Sequence, residues 1–424
     1  MKPFIILLSF CLIQYACKEQ KVTYLKNHRS DILASGFKFP QQNFNIIGFG
    51  AYHGSSKTED AELALLQSLM DQNVIDYYLP EADFSIAHYF NEFLQHGDTL
   101  LLKDLVMFYG IQVPQERTIE VYEKWKSLKK LNDQLAKDDK LQVVGIDIPV
   151  NYKYTSKHIL KLLDTAQCKS KAIQEVIAMV KVDTTGFSLG DLSYADGILK
   201  NLVADYEHNP LEYKKHLKDT FQFNHIIKNL KYSFDSSTLF SRRDTTMYEN
   251  YRALDSVYDF KNRPQFLRMG FSHIEKSREG AQGRPYFFNY LIENGFYPKE
   301  KVLSIIGYLT KSKVVWDELY DENDTYTGFT VEAGLGIGDY DKEYFRGIQN
   351  IKDAKLSDLT LFRLNAPNSP YSIKEPDLIE IIMEDQKSNG EAVQGMSTLD
   401  FLDYALLISN SKESRPIFEL DKTE

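Results

Sequence analysis

Short apolar runs alternate along the chain with longer segments whose apolar residues recur at helical spacing. Each run is bounded by polar or turn residues and is short, which favours a buried strand over a helix. The predicted strands are 44–49, 74–79, 141–148, 265–271, 301–309, 359–364 and 404–408. Helices between the first three strands are typical of βαβ units. We therefore predict an α/β fold with a mostly parallel central sheet flanked by helices.

The segment after the first strand carries the clearest local signal. Ile46 to Phe49 is apolar, and the chain then reads Gly50-Ala51-Tyr52-His53-Gly54-Ser55. Ser56-Lys57-Thr58-Glu59 has the S-x-x-E pattern of a capping box and predicts a helix to about residue 71. A second helix is predicted over 118–135, where Trp125 belongs to its apolar face.

Residues 155–258 interrupt this alternation. They contain few strand-like runs. Helical patterns lie at 158–163, 171–180, 193–206 and 221–232. We predict a helical insertion that forms a cap over one end of the sheet, or else a helical layer covering it. Gly334 to Gly338 holds three alternating glycines without a clear helix after them, so it is predicted to be a loop and not a dinucleotide site.

The first residues have the pattern of a secretory signal. Lys2 precedes an apolar run from Phe4 to Ile13, and the signal ends in Ala16-Cys17. We predict a lipoprotein signal peptide over 1–17 with lipid on Cys17, or else a plain cleaved signal. A tether and lead-in would cover 18–43 and the main domain 44–424. The protein would then be a periplasmic or surface lipoprotein of the bacterial cell envelope, most simply at the outer membrane, anchored to the membrane by its lipid.

The charge and the cysteine content indicate which partners and which cross-links to expect. Lysine and arginine total 50 against 60 acidic residues, a net charge of −10, which argues against nucleic acid as the main partner. Of three cysteines, only Cys168 would remain after processing and lipidation, so no disulfide framework is expected. A small-molecule substrate is the predicted partner.

Ionisable side chains follow the carboxyl ends of four predicted strands. They are His53, Glu81 with Asp83, Asp147, and His273. Ligands of open parallel sheets bind beyond these ends. Two imidazoles and several carboxylates there could activate water by general-base catalysis or bind a divalent metal. Alternatively, His53 and His273 satisfy backbone groups, and the acids cap neighbouring helices.

Other chemistries lack their motifs. The sequence contains no H-E-x-x-H, C-x-x-C or phosphate loop with G-K-[ST], so a zinc-protease helix and a zinc ribbon are excluded. Its one G-x-S-x-G match, at 186–190, follows no predicted strand, which a nucleophile elbow requires, so nothing supports a covalent serine nucleophile. No cofactor is required by the sequence, while a divalent metal stays open.

Six motifs in order resemble the erythromycin esterase-like family. They are Gly48–Ser55, Leu79–Phe84, Val121–Asn132, Val144–Asp147, Arg243–Asn250 (R-D-x-x-M-x-E-N) and Gly270–His273. The wider superfamily, with TIKI-type metalloproteases and ChaN-like haem-associated lipoproteins, shares G-x-x-H and a strand-end glutamate. Gly50 to His53 and Glu81 match this minimal pattern.

The resemblance implies a hydrolase that splits an ester, or an amide, in a small molecule. His53 would be the general base that activates water, and Glu81 and His273 would complete the catalytic site. Asp83, Asp147 and Glu249 are assigned to substrate binding, although Arg243, Asp244 and Glu249 fit a structural ion-pair network equally. The alternative is a non-catalytic, metal- or haem-binding envelope lipoprotein that keeps the fold.

Three positions depart from the macrolide esterases of this family. Gly50 stands where they have a glutamate, Lys276 where they have a second histidine, and Glu62 to Ala64 where they have a basic residue. These changes indicate either a hydrolase with a changed substrate or metal dependence, or a protein that has kept the fold and lost the activity.

Overall fold

The chain folds into two compact units. The computed structural model describes residues 19–41, 43–109, 113–182, 187, 193–235, 239–333, 343–384 and 388–422. Unit 1 comprises the described residues up to Val74, Thr118–Glu120, and those from Phe266 onward. Unit 2 comprises Ile75–Arg117 and Val121–Gln265. Cys17 and the Gly334–Gly338 segment lie outside the described residues.

Twelve strands occur in the described residues. They are β1 (Arg29–Asp31), β2 (Ile46–Gly50), β3 (Tyr77–Leu79), β4 (Gln142–Val143), β5 (Gln265–Met269), β6 (Val302–Thr310), β7 (Lys313–Tyr320), β8 (Tyr326–Ala333), β9 (Glu343–Phe345), β10 (Leu359–Arg363), β11 (Ile381–Met383) and β12 (Tyr404–Ser409). Each of the seven predicted strands contains one of them, or overlaps it to within a residue.

Helices account for most of the remaining structure. They are α1 (19–27), α2 (Ser56–Asp71), α3 (Phe84–His96), α4 (Thr99–Tyr109), α5 (Ile119–Gln134), α6 (Tyr152–Lys161), α7 (Lys171–Lys181), α8 (Tyr194–His208), α9 (Pro210–Lys214), α10 (Thr220–Ser233), α11 (Leu239–Tyr258), α12 (Phe287–Glu293), α13 (Ile348–Asp353), α14 (Gly390–Val393) and α15 (Thr398–Phe401). Short 3₁₀ segments include Phe271–Ile274. Among the described residues, no helix is long and apolar enough to cross a membrane.

Six of the eight strands of the main sheet belong to unit 1 in the described chain, in the order β1-β10-β12-β6-β2-β5. β2 and β12 run parallel to β6, whereas β10 and β1 add antiparallel pairs at one side. Every residue of β2, β6 and β12 is buried. Strands covered on both faces become continuous apolar runs, which is why the sequence pattern located them. The predicted α/β class with a mostly parallel sheet is confirmed.

Unit 2 holds the parallel pair of β3 and β4 and the helices α6 to α11. The predicted helix around Trp125 is α5, and the indole stacks on Phe90 with ring centroids 3.8 Å apart. The helical patterns predicted within 155–258 correspond to α6, α7, α8 and α10.

The strand predicted over 141–148 is much shorter in the structure. β4 ends at Val143, because the amide of Asn91 donates to the Val143 carbonyl (2.7 Å) and accepts from its N–H (2.8 Å). Beyond it, Gly145 lies so close to the carbonyl of Asp83 that a Cβ atom would be 2.1 Å from that oxygen. An isolated bridge joins Asp83 to Asp147.

The segment after the predicted signal is ordered. α1 covers 19–27, and β1 pairs with β10. Lys21 is buried, and its Nζ lies 2.8 Å from Glu375 Oε2 and 2.8 Å from Asp377 Oδ2. Leu25 is completely buried. The region predicted to be a tether and lead-in is therefore fixed to unit 1 by long-range contacts.

The predicted capping box of α2 does not form. The N-cap residue is Ser55, and its side chain donates to Ser411 (2.7 Å) instead of capping the helix. The hydroxyl of Ser411 accepts from the backbone N–H of Lys57 (2.9 Å). A distant loop thus caps the helix, which local sequence could not indicate.

Candidate functional site

The turn that carries His53 is shaped by glycines. β2 delivers the chain to Ala51, and Gly54 has φ +83°, a left-handed conformation that favours glycine. α2 begins at Ser56. His53 is half-buried at this strand-to-helix turn, as its sequence position predicted.

A buried arginine lies beside His53. Arg268, on β5, has its Nη2 3.5 Å from Nδ1 of His53. Its Nη1 donates to the carbonyl of Met269 (2.7 Å), and its Nε lies 3.4 Å from Oε2 of Glu62. Both Arg268 and Glu62 are buried. Glu62 is the residue that stands in the region where the macrolide esterases carry a base, and here it faces a cation supplied by β5.

The second predicted histidine lies on a segment that packs against β2. His273 belongs to the 3₁₀ turn Phe271–Ile274 and is half-buried, with its ring edge-on to Tyr286 at 5.9 Å. A Cβ atom on Gly50 would be 2.5 Å from the Cα of Phe271. This close approach brings the chain segments of His53 and His273 together in unit 1.

The same approach explains the glycine at position 50. A glutamate here, as in the macrolide esterases, would place its Cβ against the Phe271 backbone and within 3.0 Å of the Ile274 side chain. The ring of Tyr52 lies 6.3 Å from that of Phe271, and burial, reinforced by Glu343, raises the pKa of Tyr52 to about 12. Its hydroxyl therefore stays protonated at neutral pH.

In unit 2, one guanidinium joins two of the predicted acids. Arg243 Nε lies 3.1 Å from each carboxylate oxygen of Asp147, and Nη2 lies 2.5 Å from Oδ2 of Asp147 and 2.5 Å from Oε1 of Glu81. All three side chains are buried or nearly so. Burial opposes the charge on Arg243, but the two acids outweigh it and raise its pKa.

Asp83 caps a helix. Its carboxylate accepts from the N–H groups of Ser85 (2.8 Å) and Ile86 (3.1 Å) at the start of α3. Burial raises its pKa to about 7, against the lowering effect of these two hydrogen bonds, and nearby Asp147 raises it further. The carboxyl is therefore partly protonated at neutral pH.

Glu249 lies on the outer side of α11. It accepts from Tyr232 (2.6 Å) and pairs with Lys228 (3.4 Å), and its side chain is 44% exposed. The next residue, Asn250, is the buried one, and its amide donates to the carbonyl of Ile146 (2.9 Å). Within unit 2 the R-D-x-x-M-x-E-N helix thus supplies Arg243 and Asn250 to the chain around Asp147, while Glu249 binds α10.

Lys276 takes part in a buried ion pair. Its Nζ lies 2.7 Å from Oδ1 of Asp403, and both side chains are buried. Where the macrolide esterases have a second histidine, this chain therefore has a cation held by an acid from the turn before β12.

Sequence reasoning missed Arg268 and the partners of Arg243. Arg268 did leave a signal, because it is a lone charge inside the apolar run Gln265–Met269. A buried charge needs a partner, so such a residue invites a search for an acid. Glu62, an acid facing the core side of α2, is the matching signal.

The described residues show no cluster of side chains with metal-ligand geometry. Within the described part of the chain, no group of three or more histidine, cysteine, aspartate or glutamate side chains is arranged to hold a metal ion. Cys168 is buried and forms no disulfide bond within the described residues.

Solved structures of other proteins show which class of fold this chain has. No family model and no curated protein matches the sequence. A protein from Bacillus cereus is similar with a TM-score of 0.63 and 14% identity, covering 94% of this chain and 99% of that one. A protein described as a succinoglycan biosynthesis protein gives 0.60 and 14%, covering 94% and 98%.

The third similar structure carries a functional name. It is a mutant of the erythromycin esterase EreC in its open conformation, with a TM-score of 0.57 and 15% identity, covering 89% of this chain and 93% of that one. The resemblance predicted from six sequence motifs is confirmed at the level of the fold.

Proposed function

We propose that the protein is a hydrolase that cleaves an ester, or an amide, in a small molecule, with His53 as the general base. The observation that carries this proposal is the close packing of Gly50 on Phe271, which brings the segments of His53 and His273 together. The similarity of the fold to that of EreC supports it. His273 is proposed to complete the site in unit 1, and a catalytic role for Glu81, which lies in unit 2, stays a prediction. A substrate-binding role for Asp83, Asp147 and Glu249 stays a prediction, since α3, Arg243 and α10 respectively hold these side chains within unit 2.

The test is a panel of ester and amide substrates given to the mature chain with and without a chelator. His53→Ala and His273→Ala are expected to lower kcat/KM by about 100-fold or more, the range of general-base catalysis. His28→Ala, a histidine elsewhere in unit 1, is the matched control. Loss of activity with chelator alone would move the proposal to a divalent-metal hydrolase. No activity in any variant would favour a binding lipoprotein.

We further propose that Cys17 carries lipid and anchors the protein to the bacterial cell envelope, most simply at the outer membrane. The sequence Ala16-Cys17 after an apolar run supports this. Only Lys18 separates Cys17 from Glu19, the first residue that the structure describes, so the tether between them spans at most about 7 Å. Membrane fractionation and labelling with a fatty-acid analogue test it. Cys17→Ala is expected to abolish both signals, and labelling that survives this change would contradict the anchor.

A further inference from the structure

A cleft in unit 1 lies at the opposite end of the sheet from His53. Its volume is about 800 Å³, and its walls are the chain 276–281, the end of α12, Lys299 and the segment 392–396. Lys299 comes three residues before β6, and Asp403 comes directly before β12. These two strands and β2 are parallel, so the cleft lies at their amino ends, whereas His53 follows the carboxyl end of β2. β6 spans about 26 Å between the two ends.

Two lysines line the cleft, and the acids that pair with them lie behind it. Lys276 is buried, and its Nζ lies 2.7 Å from Oδ1 of Asp403. The side chain of Lys299 is 38% exposed, and its Nζ lies 3.3 Å from Oδ1 of Asp400. Both lysines belong to the wall of the cleft, and neither aspartate does. An anion in the cleft therefore meets the ammonium groups before it meets their carboxylates.

Two cations of the wall have a donor available for a ligand. The ammonium of Lys299 has three N–H donors, and besides its carboxylate partner it contacts Ser277 Oγ at 3.4 Å. Arg278 holds Glu293 through Nε (2.7 Å) and Nη2. Among the described residues, Nη1 of Arg278 contacts only the carbonyl of Gly283, at 3.4 Å. Hydrogen bonds of this length are weak, so a charged acceptor in the cleft competes with them readily.

Contacts within unit 1 hold the walls of the cleft together. Gly280 has φ +74°, and a Cβ atom there would lie 3.1 Å from the carbonyl oxygen of Ala392, so glycine permits this close approach. The side chain of Asn389 donates to Oε1 of Glu279 (2.6 Å). A preformed site of this kind loses little conformational entropy when a ligand binds.

We infer that this cleft binds a small organic carboxylate. One donor on Lys299 and one on Arg278 match the two oxygens of a carboxylate. A phosphate dianion needs more donors, and Glu293, an acid in the wall, repels its second charge. Ile292 and Met396 also line the cleft and pack against an apolar part of the ligand. This binding does not rest on the proposed hydrolase function, because it uses other residues at the other end of the sheet.

The experiment is an NMR titration of the mature chain labelled at its methionine and isoleucine methyl groups. Hexanoate is the probe, hexanamide its uncharged analogue, and hexyl phosphate the alternative anion. We expect hexanoate to shift the Met396 and Ile292 signals saturably, with an affinity about tenfold or more above that of the other two. Met269, in β5, is the internal reference and should not respond. A response of Met269 without one of Met396, or binding of hexanamide or hexyl phosphate as tight as that of hexanoate, would overturn the inference.

Substitutions of the wall residues locate the binding. Lys299→Gln combined with Arg278→Gln should weaken hexanoate binding by about tenfold or more, since charge-assisted hydrogen bonds are lost. Glu293→Gln should tighten it, because the repelling acid is removed and two further donors of Arg278 are released. Lys355→Gln is the matched control, since Lys355 in unit 1 is 32% exposed and pairs with Asp358 (2.8 Å). Unchanged affinity in the double variant, or weaker binding in Glu293→Gln, would show that the carboxylate does not bind here.

Discussion

Arg243 holds Asp147 through both Nε and Nη2, with donor–acceptor distances of 2.5 to 3.1 Å. The same Nη2 also contacts Glu81. Two carboxylates that the sequence suggested for chemistry thus share one buried cation in unit 2. Removing one partner of a buried ion pair leaves an uncompensated charge in a medium that solvates it poorly.

Arg243→Met is therefore expected to destabilise the protein by about 3 to 5 kcal/mol. Thermal and urea unfolding measure the change. Arg252→Met on the same helix is the control, because Arg252 is exposed and lies over the ring of Tyr248. If Arg243→Met unfolded at the same temperature as Arg252→Met, the two acids would not depend on this cation for their burial.

Asp83 should make the protein less stable as pH rises. Its folded pKa is raised to about 7 by burial, above the ordinary value of 3.8. Between these values the folded state holds a proton that the unfolded chain has lost, so this contribution to stability is present below about pH 4 and lost as pH rises through 7.

Asp83→Asn keeps a good N-cap for α3 and removes the titration. We expect it to raise the unfolding temperature at pH 8, leave it unchanged near pH 4, and alter the proton uptake on unfolding by about one proton. Asp219→Asn, at the N-cap of α10 where it accepts from Gln222 N–H, controls for the cap itself. A parallel shift at every pH would contradict the raised pKa.

Most of the sheet could be predicted because its strands are buried on both faces. β6 and β12 have no exposed residue, so their apolar runs are continuous and locate them in the sequence. β7 and β8 pair with each other in a hairpin with many exposed positions, and their mixed composition gave no such signal.

The sequence predicted a set of candidate residues at strand ends, but it did not predict which side chains pair with them. Arg243 meets Glu81 across 162 positions and Asp147 across 96, while Arg268 meets His53 across 215. Local pattern carries no information on such pairs. The buried charge of Arg268 could have been recognised, but its partner depends on how β5 and β2 lie side by side in the sheet.

The titration of His158 should change the stability with pH in the opposite direction to that of Asp83. Its ring stacks on His88 with centroids 4.0 Å apart and lies parallel to Phe84 at 5.8 Å. Burial lowers the pKa of His158 to about 3 and that of His88 to about 4, from an ordinary 6.5. Between these values and 6.5 the unfolded chain binds protons that the folded state does not bind. This contribution to stability is therefore fully present above pH 6.5 and is lost as pH falls toward the folded pKa values.

His158→Phe keeps an aromatic ring in the stack and removes one titrating group. We expect the fall in unfolding temperature between pH 6.5 and about 4 to become shallower, by about one proton in the linkage slope. His96→Phe makes the same substitution at an exposed position at the end of α3 and is the matched control. An unchanged slope in His158→Phe would mean that the ring is protonated inside unit 2.

Gly50→Ala tests whether the close approach of β2 to the Phe271–Ile274 turn is required. The added Cβ would lie 2.5 Å from the Cα of Phe271, a backbone atom that cannot rotate away, and 2.9 Å from Cδ1 of Ile274. Overpacking of this kind typically costs about 1 to 3 kcal/mol. The 3₁₀ turn must move, and His273 moves with it. We expect a lower unfolding temperature and, on any substrate the panel identifies, a loss in kcat exceeding the change in KM.

Gly197→Ala is the matched control, since a Cβ there meets nothing within 4 Å and α8 gains up to about 1 kcal/mol of helix propensity. Full stability and activity in Gly50→Ala would show that the two histidine-bearing segments do not need this contact.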